Sequence, residues 1–292
     1  MTWQERFNAY EKLMRLDKPI GILLLLWPAL WGLWFVAQGI PDHRLLLIFV
    51  VGTIVMRSAG CIVNDLADRN FDSRVERTRD RPLAAGLVAP KEAVALAGAL
   101  FLVALFLALK LNRLTILLAV IAFGMTLIYP FLKRFFPFPQ AWLGLAFGMS
   151  IPMAYAAYIN FVPIAAWFMV LANMFWAIAY DTEYAMVDRD DDLKIGLNSS
   201  AILLGRYDVA GVVFSHAIFL FMMVVVGTWY RLSVVYYLGL GVALLLAGYQ
   251  AYLIRGRGRE QCFRAFRNNN WVGMAIFAGL ALDLYLRAGA AK

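Results

Sequence analysis

Nine mostly apolar stretches, each long enough to cross a lipid bilayer, constrain this chain more than any other feature of its sequence. A membrane-spanning helix needs about 20 such residues. Hydrophobic residues make up 63% of the 292 positions and the mean hydropathy is +0.70, whereas soluble domains are roughly 45–50% apolar. We therefore expect an all-α integral membrane protein that forms a single domain over residues 1–292. The stretches lie near residues 19–38, 45–63, 92–110, 114–131, 141–159, 162–180, 208–229, 233–253 and 271–288.

The basic residues predict how the nine helices are oriented. If the N-terminus is cytoplasmic and the spans alternate, 21 of the 27 Lys and Arg residues fall on the cytoplasmic side. Such a bias is typical of cytoplasmic loops, so we expect a cytoplasmic N-terminus and a periplasmic C-terminus. It also explains the net charge of +8, and no nucleic acid partner is expected. The N-terminal residues lack the layout of a signal or transit peptide, which favours the inner membrane of a bacterium.

Two acid-rich segments, residues 64–72 and 181–192, hold nine of the 19 acidic residues. The second and sixth spans each run directly into one of them on the predicted cytoplasmic side. Helix positions four apart share a face, and like charges at that spacing repel each other. Two stripes of oxygen ligands result, one with Asn64, Asp68 and Asp72 and one with Asp188 and Asp192, with Asp181 two turns earlier.

The two stripes predict a cation between them, because acids at a membrane boundary are costly unless their charge is compensated. Ligands that are all oxygen, without clusters of His or Cys, select a hard ion such as magnesium. Magnesium takes one or two carboxylates, keeps several waters and is completed by substrate phosphates. The motifs therefore favour a magnesium–diphosphate site over a closed calcium cage.

Cationic side chains lie close to both motifs in the sequence. Each alone is explained by the cytoplasmic charge bias, but as a set beside two acidic stripes they suit a polyanion held by metal. They are Arg69, Arg74, Arg77, Arg79, Arg81 and Lys91 after the first motif, Lys133 and Arg134 in the intervening loop, and Lys194 and Arg206 after the second.

Arg57 lies two helical turns before Asn64 on the same face of the helix. This position is deeper in the membrane, where an unpaired arginine is expensive. Arg57 either pairs with an acid for structural reasons, or meets an anionic acceptor or part of the diphosphate. The sequence leaves both interpretations open.

At these residues the sequence resembles the UbiA superfamily of intramembrane prenyltransferases, and within it the bacterial 4-hydroxybenzoate polyprenyltransferases. The resemblance covers essentially the whole chain and shows no departure at the motif acids. It is carried by RLDKPIG at 15–21, RSAGCIVNDLADRNFD at 57–72, RPLAAG at 81–86, YPFLKR at 129–134, YDTEYAMVDRDDDLKIG at 180–196 and QCFRAFRNNNWVG at 261–273.

The resemblance implies nine helices around a central cavity, with both aspartate motifs at its cytoplasmic mouth. It implies magnesium-dependent transfer of a polyprenyl group from polyprenyl diphosphate to the ring carbon ortho to the hydroxyl of 4-hydroxybenzoate, in ubiquinone biosynthesis. Magnesium–diphosphate is then bound by Asn64, Asp68, Asp72, Asp188 and Asp192, of which the four aspartates are the candidate catalytic residues. The candidate substrate-binding residues are Arg57, Asn64, Lys133, Arg134, Asp181, Asp191 and Lys194.

Three other functions fit parts of the pattern. A sister prenyltransferase with a naphthoate, homogentisate or haem acceptor would share the mechanism. A transporter would use intramembrane acids to carry ions, but these acids cluster on one side, without a clear inverted repeat of broken helices. A phosphatidyltransferase would also use aspartates and magnesium, but its acids would be separated by a DGxxAR-type run. Besides the bilayer and the substrates, no obligate protein partner is expected.

Overall fold

The computed structural model describes residues 2–72, 78–132 and 134–290, with the backbone alone described at residues 70–72, 195 and 290. Lys133 therefore lies outside the described residues. Within these ranges the chain contains helices and no strand, and a 3₁₀ turn, Gly205–Tyr207, precedes α10. The α-helices are α1 (Trp3–Leu13), α2 (Ile20–Ala37), α3 (His43–Asp72), α4 (Pro90–Ala108), α5 (Arg113–Leu132), α6 (Pro139–Gly148), α7 (Ser150–Ile159), α8 (Ile164–Ile195), α9 (Ser200–Leu204), α10 (Asp208–Trp229), α11 (Val234–Ile254) and α12 (Arg259–Ala290).

The predicted count of nine membrane spans is confirmed within the described residues. α6 and α7 form one span together, α9 continues into α10 as another, and seven further helices each form one. Most predicted boundaries fall within a few residues of a helix end. α3 and α8 are longer than their apolar stretches, at 30 and 32 residues, so both aspartate motifs lie on helix. The cytoplasmic N-terminus stays a prediction.

The span formed by α6 and α7 is interrupted at Met149, one turn before Pro152. Proline has no N–H group, so Pro152 leaves the carbonyl of Gly148 without its helical partner. A broken helix is tolerated inside a bundle because neighbouring helices supply hydrogen bonds, and Asn173 on α8 donates to the carbonyl of Gly144 at 2.9 Å. The two backbones approach closely, since a Cβ at Gly144 would lie 2.7 Å from the Cα of Met174.

The main apolar core lies between α2, α8, α10, α11 and α12. Trp31, Trp176 and Phe219 are buried at its centre, with ring centroids 5.1, 5.5 and 6.0 Å apart. Such aromatic pairs each contribute about 0.5–1.5 kcal/mol beyond the burial of their area. The indole N–H of Trp176 also donates to Asn269 on α12 at 3.0 Å. This half of the bundle is therefore held by both apolar and polar contacts.

The other half of the bundle encloses a cavity, and α3, α4 and α5 form its wall. The share of buried residues in the apolar segments of α4 and α5 is 11% and 17%, compared with 50% for α2. α4 packs along α3, whereas it barely touches α5. The two helices thus enclose space beside the core rather than filling it, and the candidate site lies in that space.

Candidate active site

A cavity of about 920 Å³ extends into the bundle from the end at which α3 and α8 carry their acidic motifs. Asn64 and Asp65 line it from α3, and Asp181 lines it from α8, so the two motifs face one space. Further from the motifs its walls are apolar, with Phe101 on α4 and Phe123 on α5 among the lining residues. The cavity therefore joins a charged mouth to an apolar interior.

The predicted magnesium ligands lie at this end of the bundle at different depths. Asp68 and Asp188 are buried, with 2% and 8% of their surface exposed. Asn64 and Asp192 are half-buried. Asp72 ends α3, but its side chain lies outside the described part of the structure. The predicted set thus offers one amide and two carboxylates from α3 and two carboxylates from α8, and Asn64 is the member that lines the cavity.

The carboxylate and amide groups near the mouth suit magnesium, whose coordination shell is completed by substrate and water, better than an ion that the protein alone must surround. Among the described side chains, no three His, Cys, Asp or Glu groups lie close enough together to hold a metal ion. A metal site formed by three or more of these groups alone is therefore not found among the described side chains. Magnesium fits, because it accepts one or two carboxylates when substrate phosphates and waters complete its shell.

Asp65, inside the first motif, is held by two arginines. It is 1% exposed. Nη2 of Arg15 donates to both of its carboxylate oxygens at 2.8 and 2.9 Å, and Nη1 of Arg81 donates to one at 3.0 Å. Arg15 lies in the connector between α1 and α2, and Arg81 lies in the loop before α4. Because all three residues line the cavity, the Asp65 carboxylate ties two connecting segments at the mouth to α3.

Sequence reasoning missed this cluster. It treated Asp65 only as one more motif acid and Arg81 only as one of many nearby cations. The available signal was the presence of Arg15 and Arg81 in two of the matching segments, RLDKPIG and RPLAAG, since an acid buried at a membrane boundary requires cationic partners. Nothing in the spacing identified which cations those were.

Asp208, at the start of α10, fixes the end of α8 in a similar way. It is fully buried and accepts hydrogen bonds from Nε and Nη2 of Arg257 at 2.7–3.0 Å. Nη1 of Arg189, a member of the second motif, lies 3.3 Å from the same carboxylate. These hydrogen bonds raise the pKa of the Arg257 guanidinium, so this cation keeps its charge. Each motif helix is thus tied to a loop by a buried acid.

The outer part of the site contains three of the predicted substrate-binding residues. Asp191 has two cationic neighbours, because Nζ of Lys194 and Nη2 of Arg259 each lie 3.3 Å from one of its oxygens. Arg134 is exposed and donates to the main-chain carbonyl of Ala67 on α3 at 2.8 Å. Arg134 therefore lies beside the first motif, while Asp191 and Lys194 lie at the end of the second.

Arg57 lines the cavity well inside the bundle. Its Nε is buried and has no hydrogen-bond partner among the described residues. The guanidinium lies over Gly21 on α2, where a Cβ would come within 2.5 Å of Nη2, so the glycine makes room for it. The ion pairs of Asp65 go to other arginines. Arg57 is thus a cation facing a mostly apolar chamber.

Three tyrosines, Tyr129, Tyr180 and Tyr184, line the same cavity as Arg57. Tyr129 on α5 and Tyr180 on α8 lie within electrostatic range of Arg57 and Asp181. Tyr184 packs against Phe266 on α12 with ring centroids 4.7 Å apart. Tyrosine presents an apolar ring with one polar tip, and its face attracts cations. The sequence did not single these tyrosines out, since cavity-facing and lipid-facing aromatics share one helical pattern.

A family comparison decides what kind of protein carries this site. The model of the UbiA prenyltransferase family matches residues 25–277, which include both aspartate motifs and Arg57. The chain belongs to the UbiA prenyltransferase family. The resemblance inferred from the motifs is thereby confirmed over most of the chain.

Two curated relatives of this UbiA-family chain are similar over almost their entire length. The 4-hydroxybenzoate octaprenyltransferase of Nitrosospira multiformis is 60% identical over 288 residues, which is 99% of each chain. The 4-hydroxybenzoate octaprenyltransferase of Nitrosomonas europaea is 56% identical over 287 residues, which is 98% of each. The likeness therefore extends to the connectors and the last helix.

Solved UbiA structures share the fold. The apo structure of a UbiA homologue from Aeropyrum pernix K1 is 25% identical and has a TM-score of 0.79, covering 90% of this chain and 97% of that one. The structure of a UbiA homologue from Archaeoglobus fulgidus bound to GPP and Mg²⁺ is 19% identical, with a TM-score of 0.70 over 92% of this chain and 99% of that one. The expected helical architecture is thereby confirmed.

Asp65→Asn tests whether Asp65 positions the mouth or binds metal. The substitution keeps the shape of the side chain but leaves two guanidinium groups without their counter-charge. We expect the free energy of unfolding in detergent to fall by about 2 kcal/mol, the value of a lost hydrogen-bonded charge. The magnesium concentration that gives half-maximal activity should stay within about twofold, because the loss of a metal ligand worth about 1.4 kcal/mol would raise it about tenfold.

Glu260→Gln, which changes an exposed acid at the start of α12, is the matched control and should alter neither quantity. A large increase in the magnesium requirement of Asp65→Asn, with unchanged stability, would instead make Asp65 a metal ligand.

Proposed function

We propose that this chain transfers a polyprenyl group from polyprenyl diphosphate to the ring carbon ortho to the hydroxyl of 4-hydroxybenzoate. The observation that carries the proposal is a charged mouth, built by both aspartate motifs, above an apolar chamber within the membrane helices. The 4-hydroxybenzoate octaprenyltransferases that are 56–60% identical support this acceptor and a long donor. The inner membrane of a bacterium is the proposed location, and ubiquinone biosynthesis the proposed pathway.

The mouth is where the diphosphate of the donor would bind. Asn64, Asp68, Asp72, Asp188 and Asp192 would hold magnesium together with the diphosphate oxygens, and the bound ion would neutralise charge that develops on the leaving group. Arg15 and Arg81 add fixed positive charge at the same place. A guanidinium has five N–H donors, so both arginines can bind Asp65 and still present N–H groups to a diphosphate.

The chamber below the mouth would protect the reaction from water. As the allylic C–O bond breaks, the carbon skeleton carries positive charge that water would capture. Apolar side chains from α4, α5 and α6 line the chamber together with Tyr129 and Tyr180, and a tyrosine ring face attracts a cation. The acceptor ring would then form a bond to the allylic carbon and pass its ring proton to the departing diphosphate, which restores aromaticity. Diphosphate leaves through the polar mouth.

Arg57 is the proposed partner of the acceptor carboxylate. It lies seven residues before Asn64, about 10 Å deeper along α3 at 1.5 Å per residue. At that depth an acceptor ring would lie beneath the diphosphate and beside the tyrosines. A guanidinium donor in a chamber of low polarity binds a carboxylate strongly and in a fixed orientation, so Arg57 would select acceptors that carry one.

The proposed reaction is tested with membranes that contain the protein, geranyl diphosphate, 4-hydroxybenzoate and magnesium. We expect a geranylated 4-hydroxybenzoate by mass spectrometry, and none in excess EDTA. Asp68→Asn and Asp188→Asn should each lower the rate by about 10³-fold or more, equivalent to roughly 4 kcal/mol of transition-state stabilisation. Glu260→Gln should keep the wild-type rate. Full turnover in EDTA, or near-normal rates for both aspartate variants, would contradict the assignment.

Arg57→Ala tests the acceptor site. Loss of a charge-assisted hydrogen bond costs about 1.5–3 kcal/mol, so the KM for 4-hydroxybenzoate should rise about tenfold or more while that for the prenyl diphosphate changes little. Arg57→Lys should restore part of the affinity. The variant and the wild type should prenylate an acceptor without the carboxylate, such as phenol, at similar rates. Equal increases in both KM values, or loss of folded protein, would favour a structural role.

A further inference from the structure

Three consecutive asparagines on α12, Asn268, Asn269 and Asn270, each bind a different neighbouring helix. Asn268 accepts a hydrogen bond from Nε2 of Gln250 on α11 at 2.9 Å. Asn270 accepts one from the indole N–H of Trp27 on α2 at 3.0 Å. Asn269 binds α8. Successive residues of a helix point in different directions, so one level of α12 is connected to three helices.

The contact made by Asn269 reaches the helix that carries the second aspartate motif. Asn269 is fully buried. Its Nδ2 donates to Oε2 of Glu183 at 2.8 Å and to the main-chain carbonyl of Ala265 at 3.2 Å. Its Oδ1 accepts the indole N–H of Trp176 at 3.0 Å. Glu183 and Trp176 lie two turns apart on one face of α8, so a single amide spans two turns of this helix.

Glu183 is costly to bury where it lies. It is fully buried within a membrane span, and an acid inside a span is expensive. Hydrogen bonds between membrane helices contribute only modestly to stability, and two apolar partners of the same shape can hold helices together equally well. A hydrogen bond adds direction, because its donor and acceptor must align. The pair of Glu183 and Asn269 therefore sets the register of α12 against α8.

This register matters at the cavity, because α8 and α12 together form one of its walls. Tyr180 and Tyr184 from α8 and Phe263 and Phe266 from α12 all line the cavity, and we call these four side chains the aromatic wall. The ring centroid of Tyr184 lies 4.7 Å from that of Phe266 and 6.3 Å from that of Phe263. The Tyr180 centroid lies 6.4 Å from that of Phe266. The wall therefore consists of rings from two helices in mutual contact.

The pair of Glu183 and Asn269 adjoins the aromatic wall. Phe266 lies three residues before Asn269, on a neighbouring position of the α12 surface, and Tyr184 directly follows Glu183 on α8. A slide of α12 along α8 would separate the rings of Tyr184 and Phe266. It would also bring the amide and carboxyl groups, which attract water, to the edge of the cavity.

We propose that Asn269 and Glu183 are positioning residues that keep the aromatic wall closed and so keep water from the reacting carbon. The inference rests on the proposed function, because it assumes an allylic diphosphate at the mouth. As the allylic C–O bond breaks, its electron pair leaves with the diphosphate, and the acceptor ring forms the new bond to carbon. If water reaches that carbon first, its oxygen forms the new bond, its proton passes to the diphosphate, and the product is a prenyl alcohol.

Asn269→Leu tests this role through the ratio of two products. The purified protein is incubated in ¹⁸O-labelled water with geranyl diphosphate, 4-hydroxybenzoate and magnesium. Only an alcohol formed by attack of water on carbon carries the label, and its amount is divided by that of geranylated 4-hydroxybenzoate. We expect the ratio to rise about tenfold or more, because a small misplacement around reacting atoms can change a rate by about 10²-fold.

Asn268→Leu is the matched control. It makes the same substitution one residue earlier and also removes an interhelical hydrogen bond, the one with Gln250 on α11. Its product ratio should equal that of the wild type, whatever its effect on stability. An equal rise in Asn268→Leu and Asn269→Leu would overturn the proposal, because general loosening of the bundle would then explain both.

Two substitutions of Glu183 separate positioning from acid–base chemistry. Glutamine keeps an oxygen that accepts from Asn269 but has no ionisable group, so Glu183→Gln should keep the wild-type product ratio. Glu183→Leu has no acceptor and should raise the ratio. A raised ratio or lost turnover in Glu183→Gln would contradict the proposal, because the charge or proton of Glu183 would then matter rather than its hydrogen bond.

The double variant Asn269→Leu/Glu183→Leu covers the case in which Asn269→Leu does not fold. Replacing both partners by apolar groups can be nearly neutral for stability, so this variant does not leave a buried acid without its donor. We expect it to show the same rise in labelled alcohol. A folded double variant with the wild-type product ratio would overturn the proposal.

Failure of this proposal can be distinguished from failure of the proposed reaction. If the reaction is wrong, the wild type forms no geranylated 4-hydroxybenzoate. If only the positioning role is wrong, the wild type forms this product, and Asn269→Leu forms it with no additional labelled alcohol.

Discussion

A carboxylate at the edge of an apolar helix bundle requires a counter-charge, and this requirement organises the protein. Asp65 obtains it from two arginines in connecting segments. Asp208 obtains it from Arg257, which also lies in a connecting segment, and from Arg189 on α8. Removing one member of a buried ion pair is costly, so these contacts hold the ends of α3 and α8 in place. The charged mouth is therefore a fixed structure before any substrate arrives, which is what catalysis by preorganised charge needs.

The division of the bundle into a solid and a hollow half follows from what each helix can pack against. α2, α8, α10, α11 and α12 bury large aromatic rings, with Trp31 and Trp176 at the centre. α4 and α5 carry mostly aliphatic side chains that face lipid or cavity. Since lipid is as apolar as leucine, these helices gain little by closing on each other. The tightly packed helices thus form one side of the cavity, and the sparsely packed α4 and α5 enclose the space for the apolar substrate on the other.

Patterns that are local in the chain could be predicted from the sequence. The length of the apolar stretches alone located the nine spans. A spacing of four residues predicted that Asn64, Asp68 and Asp72 share one face of a helix. Contacts between distant segments could not be predicted in the same way. The pairing of Asp65 with Arg15 depends on how the connector after α1 folds over α3, and the partners of Asp208 come from α8 and the loop after α11. The break before Pro152 was missed because a transmembrane helix can also accommodate a proline as a simple kink.

The chamber was harder still to anticipate. Its wall consists of residues such as Leu105, Val120 and Gly98, which in sequence are indistinguishable from lipid-facing positions. They line the cavity because α4 packs along α3 and leaves space between itself and α5. Arg57 is the exception, because a charge so deep in a span is costly and therefore stands out in the sequence, although the sequence alone does not decide between a structural ion pair and a contact with substrate.

The proposed function requires the two motif helices to hold a divalent cation only together with a diphosphate. Equilibrium dialysis of the purified protein with Mn²⁺, in place of Mg²⁺, and methylenediphosphonate, an uncleavable diphosphate, measures this dependence. We expect the protein to retain both together and neither well alone, and Asp188→Asn to abolish the joint retention. Equal retention of Mn²⁺ without the diphosphonate would rule out this arrangement, because it would mean that the protein alone forms a complete metal site.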